Sequence, residues 1–245
     1  MLAQKFSEFI DKLTFVFLDG DRWEWLVDGL IATLEITAVS LIIGIVIGIV
    51  VAAIRSTYDK NKESMKRRGG IGYIVLSILN ALCRVYLTIF RGTPVVVQLL
   101  IFYFVILKSV SDGVPVAMLC FGINSGAYVA EIFRSGIMSI DEGQFEAGRS
   151  LGLNYVQTMR YIVIPQAFKT VLPTLCNEFI VLVKETSIAG YVGITDLTKA
   201  GDLIRGRTYQ ALLPLIAVAI IYLIVVMILS KLATTLERRL RRNER

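Results

Sequence analysis

Three ionisable residues interrupt the second half of the apolar stretch at residues 166–186, where a charged side chain is costly and usually faces a bundle interior or a wet cavity. They are Glu178, Lys184 and Glu185. Glu178 and Glu185 are seven residues apart, which puts them on one helix face, about 10 Å apart along the axis. Two such carboxylates could bind cationic groups such as an ammonium. The alternative is that they pair with cations of the protein, for which the candidates are Lys184, Arg134 and Lys169.

Other polar residues lie in apolar stretches and carry weaker signals. Gln98, Asn124 and Ser187 are weaker candidates to complete a cavity with the two glutamates. Glu131 and Arg134 are spaced i, i+3 near the end of a predicted helix, so we predict that they pair with each other in a structural role, with a ligand-binding role as the less favoured alternative.

The composition is that of a polytopic membrane protein. The chain has 245 residues, of which 55% are hydrophobic, and its mean hydropathy is +0.66. It has no histidine, the commonest general base and metal ligand, and we predict no catalytic residue, metal site or cofactor on this chain. Cys83, Cys120 and Cys176 are far apart in apolar segments and are interpreted as packing residues. No phosphate-binding GxxxxGK[ST] loop occurs in the sequence, so any ATP that drives this protein must bind to another chain.

The predicted fold class is all-α, with five transmembrane helices plus amphipathic interfacial and coupling helices. The predicted spans are 30–54, 94–110, 115–135, 166–186 and 212–234. Residues 71–90 are also apolar, but Ser77, Asn80, Arg84 and Arg91 share one helix face there. We therefore predict that residues 71–90 form a cytoplasm-side helix that does not cross the membrane.

Charge sets the predicted topology. Basic residues from Arg55 to Arg68 follow the first span, and the tail at 231–245 is also basic, so both are predicted to be cytoplasmic, with the N-terminus outside. Residues 1–20 suggest an amphipathic helix on the membrane surface, followed by interfacial Trp23 and Trp25. We predict one transmembrane domain, 1–245. Its parts are an interfacial segment 1–29, a core 30–235 that contains a loop 136–165, and a cytoplasmic tail 236–245.

Local signals predict further details of packing and helix ends. Gly44, Gly48 and Ala52 form a stripe of small residues, suited to close packing within one subunit or to a dimer contact. Thr93 and Pro94 are predicted to start a helix as N-cap and first helical residue. The glycines Gly190, Gly193, Gly201 and Gly206 predict a broken, turn-rich outside segment.

A polar interval at residues 141–165, DEGQFEAGRSLGLNYVQTMRYIVIP, separates two of the spans. Asp141 and Gln144 have the spacing of an N-cap with a capping box, and Gly152 is a helix stop, so a helix is predicted at 142–150. A second short helix is predicted from residue 155, and Pro165 restricts how the chain continues beyond it.

The motif within this interval resembles the EAA loop of ABC importer permeases, whose pattern is EAA, three residues, Gly, nine residues and I-x-L-P. Here Glu146, Ala147 and Gly148 are followed by Gly152 and then by Ile162, Ile164 and Pro165. Gly148 replaces the second Ala of the pattern and Ile164 replaces the Leu. In that family the loop is the coupling helix that docks on a cytoplasmic ATPase subunit. The resemblance therefore implies an ATPase-coupling role for Glu146, Ala147, Gly148, Arg149, Ser150, Leu151 and Gly152.

Two more stretches, RGTPVVVQLLIFYF from Arg91 and KETSIAGYVGITDLTKAG from Lys184, resemble the polar amino-acid permeases within that family. The resemblance implies a subunit of an ATP-driven importer in the bacterial inner membrane, with a polar or cationic amino acid as substrate. It also implies three kinds of partner, which are a second permease subunit (identical or a paralogue), two ATPase subunits that bind the ATP, and an extracytoplasmic amino-acid-binding protein. No nucleic-acid partner is expected.

The main alternative is a proton-coupled secondary carrier of small polar solutes, in which Glu178 or Glu185 would carry the coupling proton. Five spans are few for such a carrier, and no inverted repeat is visible. A membrane enzyme is disfavoured because the sequence has neither histidine nor a nucleophile–base pair.

Overall fold

The computed structural model describes residues 2–68 and 70–242, and within these residues every regular element is helical, which confirms the all-α prediction. Residues 243–245 of the predicted basic tail lie outside the described residues. The α-helices are α1 Leu2–Leu13, α2 Arg22–Arg68, α3 Ile71–Gly92, α4 Val95–Ile101, α5 Gly113–Met138, α6 Glu142–Ser150, α7 Tyr155–Thr158, α8 Ile164–Glu185, α9 Leu197–Thr208 and α10 Leu212–Arg242. Three π-helical turns (14–18, 102–106, 159–163) and two 3₁₀ segments (19–21, 186–192) join them.

The parallel pair α2 and α5 forms the centre of the bundle, and small residues let the two helices approach. A Cβ placed on Gly48 would lie 2.5 Å from Val129 Cγ1, and one on Gly44 would lie 3.1 Å from Ser125 Oγ. The glycine stripe predicted on α2 therefore packs within the subunit, and the dimer contact is not needed to explain it. The helix continues as far as Arg68, so the basic residues after Arg55 extend α2 rather than form the loop that was predicted.

Four helical stretches of the described residues are long and apolar enough to cross a membrane. They lie within Gln4–Arg67, Ile71–Gly92, Gly113–Met138 and Leu212–Leu240. The fourth predicted span corresponds to α8, which is not among these four and whose sequence mixes charged and amide side chains with apolar ones. The number of crossings stays a prediction.

The second predicted span, 94–110, is wrong in extent. The helical stretch is Val95–Ile106, and twelve residues cover about 18 Å, less than a hydrocarbon core of about 30 Å. Helix α3 reaches the middle of α5, where the Phe90 carbonyl accepts a hydrogen bond from Asn124 Nδ2 at 3.0 Å. From there α4 continues to the start of α5, where a Cβ on Gly113 would lie 3.3 Å from the Tyr103 ring. The end of α3 and α4 therefore run along α5 from its middle to its start, and the prediction that residues 71–90 do not cross the membrane stays a prediction.

Thr93 does not cap α4 as predicted. Its hydroxyl donates to the Ile89 carbonyl at 2.8 Å, one turn back in α3. Pro94 takes the extended N-cap position, and no side chain caps the helix. The break between α3 and α4 therefore follows from the missing N–H of proline and its effect on the residue before it.

The glycine-containing segment after α8 is more regular than predicted. Gly193 is left-handed, with φ 80°, and ends the 3₁₀ turn. Gly201, however, lies inside α9, where a Cβ would come 2.4 Å from Val218 Cγ2, so this glycine permits close packing of α9 on α10. The buried Asp196 caps α9 and accepts the N–H groups of Thr198 and Lys199 at 3.0 and 3.1 Å.

Candidate functional site

The polar interval between α5 and α8 folds as a short helical hairpin. Helix α6 begins and ends where the sequence predicted, at Glu142 and Ser150. Asp141 caps it by accepting the Gly143 N–H at 2.6 Å. The capping box predicted at Gln144 is wrong, because the Gln144 Oε1 accepts instead from Gln166 Nε2 at 3.2 Å. Gly152 has φ 77°, the left-handed conformation that stops the helix.

The capping box of this region belongs to α7. Asn154 Oδ1 accepts the Gln157 N–H, and Gln157 Oε1 accepts the Asn154 N–H, both at 2.9 Å. From Tyr155 the chain continues through the π-helical turn 159–163 directly into α8, and Pro165 lies in the first turn of α8, where its missing N–H is tolerated. The hairpin is therefore joined to α8 by helix rather than by a flexible loop.

A close crossing of α6 on α7 explains one departure from the EAA pattern. Gly148 is buried, and a Cβ at this position would lie 2.6 Å from Thr158 Oγ1 and 2.8 Å from its methyl group. Alanine, which the pattern has here, does not fit beside Thr158. The glycine and the threonine therefore form a matched pair.

The rest of α6 presents an exposed face. Glu146, Ala147, Arg149 and Ser150 are exposed, and so are Leu151 and Gly152, which follow the helix. Leu151 is 76% exposed although it is apolar. An apolar side chain displayed among charged ones is typical of a protein-contact surface. We call the surface formed by the exposed residues of Glu146–Gly152, which excludes the buried Gly148, the coupling face.

Helix α6 is also fixed to the long end of α2. Lys60 Nζ lies 3.1 Å from Glu142 Oε1 and 4.8 Å from the centre of the Phe145 ring. Phe145 in turn packs against Ile137 of α5 and Val163. A cleft of about 230 Å³ lies between Lys60 of α2 and Glu146 and Arg149 of α6. The α6 hairpin thus contacts α2, α5 and α8.

Glu178 lies where α2, α5 and α8 meet, and it is the partly buried carboxylate that the sequence singled out. Its Oε1 accepts a hydrogen bond from Ser125 Oγ of α5 at 2.9 Å. Neither Lys184 nor Arg134 pairs with it, and among the described side chains, those of residues 4–67 and 70–240, none forms an ion pair with Glu178. Arg134 instead pairs with Asp59 at 3.6 Å. The carboxylate therefore has a hydroxyl donor but no counter-charge in the described chain.

Glu185 and Ser187 lie at the far end of α8 and in the 3₁₀ segment after it. Glu185 lies two helical turns beyond Glu178 on α8 and directly follows Lys184. The structure thus keeps the two glutamates on one helix, seven residues apart.

Gln98 and Asn124 are brought together, but their amides are used to cap the end of α3. Asn124 Nδ2 donates to Gln98 Oε1 at 2.8 Å and to the Phe90 carbonyl. Gln98 Nε2 donates to the same carbonyl and to Thr93. Both side chains are buried. These bonds satisfy carbonyls that the end of a helix leaves without partners, so a substrate role for Gln98 and Asn124 stays a prediction without contact support.

The sequence did not predict the network of ion pairs at the coupling end of the bundle, which is the end that carries the α6–α7 hairpin. The predicted contact of Glu131 with Arg134 forms at 3.9 Å, but the closer partner of Glu131 is Arg55 of α2, at 2.5 Å. Arg55 follows the apolar part of α2 directly, and Glu131 lies seven residues before the end of α5. The signal in the sequence that could have identified this pair is one basic and one acidic residue near the corresponding ends of two predicted spans.

An apolar helical bundle with an exposed helical hairpin between two of its helices is the architecture of a polytopic membrane protein. The chain belongs to the family of binding-protein-dependent transport system inner membrane components, whose model matches residues 70–242. The EAA motif is a feature of that family. Its members are permease subunits of ABC transporters rather than enzymes.

Relatives with known names cover most of the chain. The arginine transport system permease protein ArtQ of Bacillus subtilis is 36% identical over 235 residues, which are 90% of this chain and 94% of that protein. The glutamine transport system permease protein GlnP of Escherichia coli K12 is 39% identical over 168 residues, 67% of this chain and 77% of that protein.

Solved structures share the fold. A crystal structure of an amino acid ABC transporter with histidines superposes with a TM-score of 0.78 at 36% identity, and covers 91% of this chain and 98% of that one. An inward-facing methionine ABC transporter superposes with a TM-score of 0.74 at 24% identity, which is a likeness of fold.

Proposed function

We propose that this chain is the membrane-spanning subunit of an ATP-driven importer that translocates a polar or cationic amino acid by alternating access. The observation that carries the proposal is the coupling face, where the exposed Leu151 lies among charged residues on a hairpin fixed to the bundle. A separate ATPase subunit docks on this face and holds the ATP. The names of the arginine and glutamine relatives support the substrate class.

The hairpin gives the proposed coupling a physical route. Lys60 links it to α2, Phe145 to α5, and the uninterrupted helical turns after Tyr155 link it to α8. These are the three helices that meet around Glu178. A displacement of α6 when the ATPase subunits close therefore moves the walls of the polar interior, which opens the site to one side of the membrane at a time.

The substrate site centres on Glu178. Because a partly buried carboxylate without a counter-charge is costly, it favours an incoming cation. The α-ammonium of an amino acid supplies that cation, and Ser125 Oγ holds the carboxylate in place. Glu185, two turns along α8, is placed to bind a second cationic group.

The proposed topology and partners complete this assignment. The hairpin and the basic ends of α2 and α10 face the cytoplasm, because loops rich in Lys and Arg stay on that side, and the N-terminus lies outside. An extracytoplasmic binding protein delivers the amino acid at the opposite end. A second permease subunit, identical or a paralogue, completes the membrane core.

The test is uptake into proteoliposomes that contain the complex co-purified with this chain, with the binding protein and a panel of labelled amino acids. ATP-dependent uptake is expected. Preference for arginine, lysine or histidine would support substrate contacts at both glutamates, whereas preference for glutamine would leave Glu185 with a structural or gating role. Uptake that ignores ATP and follows a proton gradient would overturn the proposal in favour of the secondary carrier.

A further inference from the structure

A cleft of about 460 Å³ near the coupling end of the bundle is lined by three arginines and one glutamate. They are Arg55, Arg84, Arg91 and Glu131, with Leu87, Thr88 and Gly92 between them. Three positive charges against one negative charge leave a formal excess of two. Adding Arg134 and Asp59, the other members of the ion network, leaves the excess unchanged.

The guanidinium groups of this cleft have unused donors. Arg55 Nη1 binds Glu131, but Arg55 Nε is buried and makes no hydrogen bond. Arg91 stacks over the Tyr128 ring at 5.5 Å, and its nearest carboxylate, Glu131, is 3.9 Å away. Arg84 is exposed and has no ion pair in the described part of the chain. Buried donors without acceptors are costly, and a multi-oxygen anion satisfies several guanidinium groups at once.

The surface beside the arginines is apolar. Arg84, Thr88 and Arg91 share one face of α3, at i, i+4 and i+7. Roughly 130° around the same helix lies a second face that holds Leu82, Val85 and Ile89, which are 62%, 56% and 50% exposed. An amphipathic anion, with a charged head and apolar chains, matches this pair of faces better than a small free anion does.

The depth of the cleft also fits a lipid headgroup. The apolar part of α2 ends at Arg55, and Glu131 is seven residues, about 10 Å, before the end of α5. Under the proposed topology this level belongs to the cytoplasmic leaflet, which carries the anionic lipids, and basic pockets between helices on that side bind acidic headgroups.

We propose that this cleft binds the phosphate of an anionic phospholipid, with an acyl chain along Val85 and Ile89 toward the membrane interior. Inorganic phosphate and the carboxylate of an amino acid share the oxyanion chemistry, so the experiment separates these sources. The bound lipid contacts α2, α3 and α5 beside the point where Lys60 holds the coupling hairpin. It therefore stabilises the packing of these helices.

The test is native mass spectrometry of the complex purified with this chain, in detergent with equal amounts of phosphatidylglycerol and phosphatidylcholine. The variants are Arg84→Gln and Arg91→Gln, alone and together. The matched control is Arg67→Gln, an exposed arginine further along α2 and outside the cleft. We expect selective retention of phosphatidylglycerol, a loss in affinity of about fivefold for each arginine removed from the cleft, and no change in the control. Equal retention by the wild type and the double variant would overturn the proposal.

Thermal unfolding of the same complexes distinguishes the sources of the anion. Phosphatidylglycerol is expected to raise the melting temperature of the wild type more than that of the double variant, while inorganic phosphate and the transported amino acid do not. A rise with inorganic phosphate, or with the amino acid, that is lost in the double variant would assign the cleft to that small molecule and reject the lipid. Both readouts measure binding rather than uptake, so their failure would leave the import proposal untouched.

Discussion

Gly148 of α6 lies so close to Thr158 of α7 that a Cβ at position 148 would come within 2.6 Å of the threonine hydroxyl. We therefore predict that Gly148→Ala, although it restores the alanine of the EAA pattern, forces α6 away from α7. Overpacking of this kind typically costs about 1–3 kcal/mol. The expected result is weaker association with the ATPase subunit and slower ATP-dependent uptake, measured by co-purification and in proteoliposomes.

The matched control is the double variant Gly148→Ala, Thr158→Ala. Removing the hydroxyl and methyl groups of Thr158 makes room for the new Cβ, so the double variant is expected to recover most of the lost association. Equal losses in the single and double variants would contradict the steric explanation, because the two effects would then not be coupled.

The sequence predicted best what local signals determine. Asp141 and Gly152 define the ends of α6 through hydrogen bonds and backbone conformation within a few residues, and both ends are confirmed. The EAA spacing is also local, and it identified the family. The buried glycine stripe of α2 was recognised as a packing surface, but the choice between α5 and a second subunit needed the tertiary structure.

The sequence could not predict contacts of residues whose partners are distant in sequence or compete locally. Thr93 looked like an N-cap, but its hydroxyl bonds back to Ile89. Gln98 and Asn124 bond to each other over 26 positions and to the end of α3, and their predicted cavity role stays a prediction. The partnership of Glu178 with Ser125 joins α8 to α5 and has no signature in either stretch.

Two glycine-to-alanine changes are predicted to have opposite effects, because Gly48 lies in the close crossing of α2 and α5 and Gly206 lies in open space. Gly48→Ala brings a Cβ to 2.5 Å from Val129 and is expected to destabilise the bundle by about 1–3 kcal/mol. Gly206→Ala, in α9, meets no atom within 4 Å and is expected to be neutral or to stabilise by up to about 1 kcal/mol. Melting temperatures in detergent compare the two. A stable Gly48→Ala protein would show that the α2–α5 contact can relax.

The buried cap Asp196 predicts a difference between its amide and alanine variants. Asp196→Asn keeps one oxygen for the Lys199 N–H and replaces the oxygen that accepts the Thr198 N–H by an amide NH2. It is expected to cost less than the alanine variant, because Asn is also a good helix N-cap. Asp196→Ala loses the cap and is expected to cost about 1 kcal/mol. Thermal unfolding of the three proteins at one pH is the measurement, and equal melting of the two variants would contradict a capping role.

The difference in stability between the wild type and Asp196→Asn is expected to change with pH in a defined direction. Burial raises the pKa of Asp196 above its ordinary value of 3.8, against the opposing effect of the two N–H bonds. Folding therefore favours the protonated form. The stability of the wild type relative to Asp196→Asn is expected to be greatest at acidic pH and to fall as the pH rises from 3.8 to the raised pKa. An opposite slope would mean that the N–H bonds outweigh burial.

The carboxylate of Glu178, which has no counter-charge in the described chain, gives the most direct prediction about transport. Glu178→Gln keeps the shape of the side chain and an acceptor for Ser125 Oγ but removes the charge that attracts the ammonium of the substrate. The expected result is a half-saturation concentration raised about 10-fold or more, since a hydrogen bond to a charged group is worth about 1.5–3 kcal/mol, with assembly and basal ATP hydrolysis preserved. Ser125→Ala is the matched variant, because it removes the partner of Glu178 but leaves the charge, and its effect is expected to be smaller. Unchanged uptake kinetics of Glu178→Gln for every transported amino acid would remove Glu178 from the substrate site and leave it with a packing role between α5 and α8.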